Sequence, residues 1–166
     1  MSVTDQLVEA NAGFAASFDK GDLPMPPAKP VAVVTCIDAR LHPAAILGFG
    51  IGDAHVIRNA GGRADESALR SLIISQKLLG TREVLVIHHT DCGMLTFTND
   101  DLRDKLKAET GRDVDIDFMP FSDVEQSVRD DVHTIKGSPF ISNDILVTGF
   151  VYDVKTGKLV RVSGSD

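Results

Sequence analysis

Two nearly unbroken apolar runs of strand length each end in residues that can bind metal or act as nucleophiles, and this pairing constrains the fold more than anything else in the chain. Val31-Ala32-Val33-Val34-Thr35 leads directly into Cys36. Val84-Leu85-Val86-Ile87 leads into His88 and His89, with Cys92 close behind. A run that is apolar at successive positions, rather than at alternate ones, suits a strand buried on both faces of a parallel sheet.

The rest of the chain supplies the elements such a sheet needs. Val3, Leu7, Ala10, Phe14 and Phe18 recur at helical spacing over residues 3 to 19. A proline-rich connector, Leu23 to Pro30, follows and blocks helix. Beyond the first strand come a short helical turn from Pro43 to Gly48 and a second strand, Ala54-His55-Val56-Ile57. A helix from Asp65 to Leu79 follows, with Asp65 as N-cap, Gly80 as its stop, and Leu69, Leu72, Ile73 and Leu79 facing inward. A third strand spans Glu83 to His88, and a helix runs from about Asp100 to Glu109, capped by Thr98 or Asn99. Ser122-Asp123-Val124-Glu125 has the form of a capping box opening a helix that reaches Lys136. Asp144 to Tyr152 reads as the fourth strand, and Lys155-Thr156-Gly157-Lys158 turns into a last strand, Leu159 to Val162. The alternation predicts an α/β fold: a mainly parallel sheet of about four strands plus an antiparallel edge strand, flanked by helices. Residues 1–166 are read as a single domain, with 1–22 a helical arm suited to packing on another subunit.

Charge and hydropathy exclude several classes. The net charge of −7 disfavours a nucleic-acid backbone as partner. No apolar stretch reaches the roughly 20 residues that span a bilayer, and the first residues lack the pattern of a secretory signal. A cytoplasmic location is the default expectation, and a reducing compartment keeps two cysteines as thiols rather than a disulfide framework.

If the first and third strands are neighbours, their carboxyl ends bring Cys36, His89 and Cys92 to one rim, where open α/β sheets bind ligands. Two cysteines and one histidine form a known three-residue set for a zinc that keeps a fourth position free for chemistry. Cys36, Asp38 and Arg40 alternate, so in extended chain Asp38 and Arg40 can pair beside the thiol. A lone His-x-x-Cys is a weak signal; Cys-x-Asp-x-Arg at one strand end with His-x-x-Cys-Gly at another is far more specific.

With these motifs, and with Arg58-Asn59-Ala60-Gly61 after the second strand, the chain strongly resembles the β-class carbonic anhydrases, in particular their small, short-chain branch. The resemblance implies that Cys36, His89 and Cys92 are protein ligands to one zinc per chain and that Asp38 and Arg40 are the catalytic dyad beside it. It implies reversible hydration of carbon dioxide to bicarbonate by zinc-bound hydroxide, with Asp38 orienting the nucleophile and Arg40 holding Asp38 ionised. If that pair breaks, Asp38 can itself become the fourth zinc ligand. The resemblance further implies a homodimer, or a homotetramer built from it, and a small-molecule substrate. The same branch also resembles carbonyl sulfide hydrolases, which use the same ligands and dyad and release hydrogen sulfide.

Other readings compete. A non-catalytic zinc-stabilised module would need a permanent fourth protein ligand. A redox dithiol switch would need Cys36 and Cys92 alone and leaves His89, Asp38 and Arg40 without a role. His88 alternates away from His89 and reads as a supporting residue; His42 reads as a loop residue near the rim, and His55 and His133 as packing or surface residues. Arg58 and Asn59 either shape the pocket or serve a subunit interface. Met94, Leu95 and Phe97 are candidates for an apolar pocket lining, and the Gly93 amide is a candidate donor to a ligand sulfur.

Overall fold

In a computed structural model that describes residues 1–165, five strands form one sheet in the order β2-β1-β3-β4-β5. They are β1 (Val31–Cys36), β2 (His55–Asn59), β3 (Glu83–His89), β4 (Leu146–Tyr152) and β5 (Leu159–Arg161). The first four are parallel, and β5 runs antiparallel to β4 at the edge, with Val151 opposite Val160. The helices are α1 (Val3–Ala16), α2 (Pro43–Leu47), α3 (Glu66–Leu79), α4 (Asn99–Thr110) and α5 (Val124–Gly137).

The near-continuous apolar strands are central, as a doubly covered position demands. Ala32 and Val34 of β1, Val84 and Val86 of β3, and Val147 of β4 point to one face and pack in a single cluster. Ala68 and Leu72 of α3 and Val128, Val132 and Ile135 of α5 cover that face. Each fully buried Leu, Ile or Val here contributes about 1.5–3 kcal/mol of hydrophobic stabilisation. Within α3 the expected inward stripe is graded. Leu72 is fully buried and Leu69 and Ile73 pack at its margin, whereas Leu79 lies in a shallow hollow beside His55 and Ile57 of the edge strand.

The helix ends follow their capping chemistry. Asp65 accepts from the Ala68 amide at 2.7 Å, and Thr98 and Asp101 form a reciprocal capping box. At α5 the cap lies one residue later than the Ser122…Glu125 pattern suggests: Asp123 accepts from the Gln126 amide at 2.9 Å. α1 ends at Ala16, short of residue 19, where Ser17 turns its hydroxyl back onto the Gly13 and Phe14 carbonyls. No residue of α1 is buried; Val3, Leu7 and Phe14 are 70%, 68% and 53% exposed. Among the described residues, no helix is long and apolar enough to cross a membrane.

Candidate metal centre

β1 and β3 lie side by side, Thr35 opposite Ile87, so both chains leave the sheet at the same rim. The strand order also reverses there: the chain steps from β1 out to β2, then back past β1 to β3. A crevice at the carboxyl ends is the geometric consequence. Two backbone features shape it. The 3₁₀ turn Ala60–Gly62 sits on the end of β1 so tightly that a Cβ on Gly62 would lie 2.9 Å from the Cys36 nitrogen, and Gly62 is left-handed at φ 71°. After β3, Asp91 adopts φ 54° and reverses the chain so that Cys92 faces back towards His89.

Cys36, His89 and Cys92 are all buried, and their two sulfurs and one imidazole nitrogen lie within 4.8 Å of one another. His89 Nδ1 is 2.8 Å from the Thr90 carbonyl. A carbonyl only accepts, so Nδ1 carries the proton and Nε2 presents a lone pair. That Nε2 is buried with no hydrogen-bond partner. A buried lone pair beside two sulfurs is costly unless a cation satisfies it, and it is the tautomer a metal ligand needs. The sulfurs are free. The Cys92 thiol bonds to Cys36 and, against the opposing effect of burial, draws the Cys36 pKa down; the Asp38 and Gly61 amides assist. Cys92 retains the proton, its pKa raised by that same bond to Cys36 and by burial. The Met94 amide, rather than that of Gly93, acts on the Cys92 sulfur. The donor set fits zinc: with the Cys92 proton displaced by the ion, two thiolates and the His89 imidazole would hold it and leave one position for a small molecule.

Asp38 and Arg40 meet as expected, but by a different route. β1 ends at Cys36, and the next residues form a turn closed by the Leu41 amide on the Asp38 carbonyl at 3.0 Å. Strand alternation therefore does not pair them. The turn does, because Asp38 Oδ1 accepts both the Arg40 amide at 2.8 Å and Arg40 Nε at 3.0 Å. Arg40 Nη2 donates to Asp38 Oδ2 at 2.8 Å, a bidentate fork. Those bonds to Arg40 hold the Asp38 carboxyl well below the usual range, so it stays ionised. Asp38 Oδ2 lies 3.8 Å from His89 Nε2 and so borders the Cys36–His89–Cys92 cluster.

Arg58 has a definite place. Its Nε donates to the Cys36 carbonyl at 2.9 Å and its Nη2 to the Asp38 carbonyl at 2.8 Å, bracing the turn from β2. Asn59 instead locks the Ala60–Gly62 turn, exchanging two 2.7 Å bonds with the Arg63 backbone. His42 is an N-cap whose Nδ1 accepts from the Ala45 amide, and His55 bonds Ser75. Met94 is buried with both cysteines and Leu41; Phe97, Phe121, Tyr152 and Val154 pack around them, while Leu95 stays at the surface. A hollow of about 450 Å³ lined by Leu95, Phe97, Pro120 and Phe121 adjoins this loop, but none of the three clustered residues lines it.

Directly beneath the site, His88 is fully buried. Its Nδ1 meets Ser127 Oγ at 2.7 Å, and its Nε2 faces the Gly62 carbonyl at 3.2 Å and Asp131 Oδ2 at 3.1 Å. Asp131 also accepts Arg63 Nε at 2.8 Å. Phe121 stacks on the His88 ring and lies under the Arg63 guanidinium.

Comparison with known proteins agrees with this geometry. Residues 31–159 match the profile of a family described as carbonic anhydrase. β-Carbonic anhydrase 1 of Mycobacterium tuberculosis is 47% identical over 163 residues, covering 98% of this chain and 99% of that protein. The chain belongs to the β-carbonic anhydrase family. As a member of that family it is a lyase of the carbonate dehydratase type. A crystal structure of carbonic anhydrase from Streptococcus mutans superposes with a TM-score of 0.94 at 47% identity, covering 98% of this chain and 99% of the other. More distantly, carbon disulfide hydrolase of Saccharolobus solfataricus is 32% identical over 151 residues, 76% of this chain and 74% of that enzyme.

The residues that sequence reasoning missed in this β-carbonic anhydrase are Asp91, Arg63 and Asp131. Asp91 lies inside the His-x-x-Cys motif, and its acidic side chain next to a proposed ligand was the available signal. Nothing local marks Arg63 and Asp131 as partners, because they are far apart in sequence and meet only through the packing of α5.

Proposed function

We propose that this chain is a zinc-dependent carbonic anhydrase that reversibly hydrates carbon dioxide to bicarbonate, with Cys36, His89 and Cys92 holding the metal. The observation that carries this reading is the unpartnered, buried Nε2 of His89 facing two cysteine sulfurs. Bound there, zinc would supply a Lewis acid that makes water a nucleophile at moderate pH. Two thiolates and an imidazole neutralise its charge, so its acidifying effect is weaker than in a three-histidine site.

The chain's own residues do the rest. Thr90 holds His89 in the ligating tautomer through Nδ1. The Asp38 carboxylate accepts a hydrogen bond from the nucleophile and aims its lone pair at the carbon of the substrate. Arg40 keeps that carboxylate ionised and turned aside from the ligand cluster. Leu41, Met94 and Phe97 give an apolar wall suited to a linear, uncharged substrate.

A second reading is favoured by the relatives that are carbon disulfide hydrolases: attack on the central carbon of carbon disulfide or carbonyl sulfide with release of hydrogen sulfide. Substrates of the two reactions share linear shape and an electrophilic carbon. Stopped-flow hydration and a sulfide-release assay, run on one zinc-loaded preparation, separate the two. Fast hydration with negligible sulfide supports the first reading, and the reverse supports the second.

The same reading takes residues 1–166 as one β-carbonic anhydrase-like domain acting as a homodimer or homotetramer. Residues 1–22 form an arm whose exposed Val3, Leu7, Phe14 and Phe18 pack on a partner subunit. A reducing cytoplasm suits the free thiols that the metal requires.

A further inference from the structure

We propose that Asp91 is a positioning residue for catalysis, acting through Arg40 to hold the Asp38 carboxylate in place. The proposal rests on the functional reading above, in which Asp38 and Arg40 act as a pair.

The Arg40 side chain is 46% exposed, and its partner Asp38 is only two residues away in the same turn. An exposed pair of this kind contributes little by itself, and the arginine loses much rotamer freedom in making it. A second carboxylate opposes that freedom. Arg40 Nη1 donates to Asp91 Oδ2 at 2.7 Å, and Nη2 donates to the Asp91 carbonyl at 2.8 Å. Nε and Nη2 meanwhile face Asp38. One guanidinium thus spans two carboxylates with its donors divided between them, and its planar fork allows one orientation that satisfies both.

The placement of Asp91 gives this clamp its meaning. Asp91 lies between His89 and Cys92 at φ 54°, a left-handed conformation in which its carbonyl and its carboxylate both meet the same guanidinium. Arg40 therefore ties the turn after β1, which carries Cys36 and Asp38, to the turn after β3, which carries His89 and Cys92. Without the Asp91 side chain, Arg40 loses the partner of Nη1 and is held only by Asp38 and the Asp91 carbonyl, so it leaves Asp38 for solvent more often. Asp38 Oδ2, already 3.8 Å from His89 Nε2, is then close enough to turn onto the ligand cluster and occupy the position substrate chemistry needs. Asp91 touches no substrate in this scheme; it sets the fraction of molecules in which Asp38 is correctly placed.

The side chain is best deleted as Asp91→Gly, because alanine would be strained at this φ, and Asp91→Asn is the conservative control. In the zinc-loaded protein, Asp91→Gly is expected to lower kcat for carbon dioxide hydration about tenfold, as for the loss of one charge-assisted hydrogen bond, with KM unchanged. Asp91→Asn, which keeps an acceptor oxygen, should recover most of the rate. In an Arg40→Ala background, Asp91→Gly should have no further effect. Nitrogen-15 NMR gives a readout independent of turnover: exchange of the Arg40 Nε proton with water should be slow in the wild type and markedly faster in Asp91→Gly. Unchanged exchange and kcat in Asp91→Gly would overturn the proposal. So would an Asp91→Gly effect that persists at full size without Arg40, since that would indicate a merely structural role. A wild-type protein that fails to hydrate carbon dioxide would instead sink the functional reading, while the exchange measurement would still decide whether Asp91 fixes Arg40.

Discussion

Replacing Asp131 with alanine tests how far the floor of the site depends on one buried charge. Asp131 Oδ2 accepts Arg63 Nε at 2.8 Å and lies 3.1 Å from His88 Nε2. The side chains of Asp131, His88 and Arg63 are 2%, 0% and 12% exposed, so water cannot replace the lost carboxylate. Removing one partner of such a pair typically costs about 3–5 kcal/mol, because it strands the other charge. The low end applies here. Arg63 keeps the Met119 carbonyl and the Phe121 ring, and His88 keeps Ser127 and the Gly62 carbonyl. A loss of about 3 kcal/mol in a chain of this size lowers Tm by about 6–12 °C. Differential scanning calorimetry on matched zinc-loaded samples measures it. An Arg63→Met/Asp131→Leu double variant should lose less than either single variant, since apolar replacement of both partners removes the stranded charge. An Asp131→Ala protein within about 2 °C of wild type would refute the reasoning, as would a double variant less stable than both singles.

Zinc affinity should rise with pH by at least about tenfold per unit between pH 6 and 8, because binding must displace the proton that Cys92, with its raised pKa, still holds. Competition with a chelator of known affinity at each pH measures this, and a pH-independent affinity would contradict the assignment of that thiol as a ligand. Deleting residues 1–22 should yield a dissociated or unstable protein by light scattering, since the arm exposes Phe14 and Phe18 at 53% and 45%; an unchanged oligomer mass would exclude an arm-mediated contact.

Much of this fold can be read directly from the chain because its strongest signals coincide with its most buried elements. Val31–Val34 and Val84–Ile87 are apolar throughout and occupy the interior of the sheet, with β1 flanked by β2 and β3. Asp65 and Gly80 mark the ends of α3 because capping is a local interaction. The meeting of Cys36, His89 and Cys92 was legible for a related reason: a strand's carboxyl end is marked by the sequence, and parallel pairing then decides what meets there. What escaped depends on backbone direction after the strands end. The turn at Asp38 replaces the expected alternation, and left-handed Asp91 swings a carboxylate onto Arg40 that linear spacing does not reveal. The Arg63–Asp131 pair required the docking of α5 on the sheet, a tertiary event with no local signature.

The most direct test of the central claim is zinc X-ray absorption on the purified, catalytically assayed protein, with metal content measured on the same sample. The account predicts one zinc per chain with two sulfur neighbours at about 2.3 Å and two nitrogen or oxygen neighbours at about 2.0–2.1 Å, one of them imidazole. It also predicts that Cys36→Ser and Cys92→Ser each remove one sulfur from that shell. A folded, active protein without stoichiometric metal, or a zinc whose sulfur count ignores those substitutions, would contradict it.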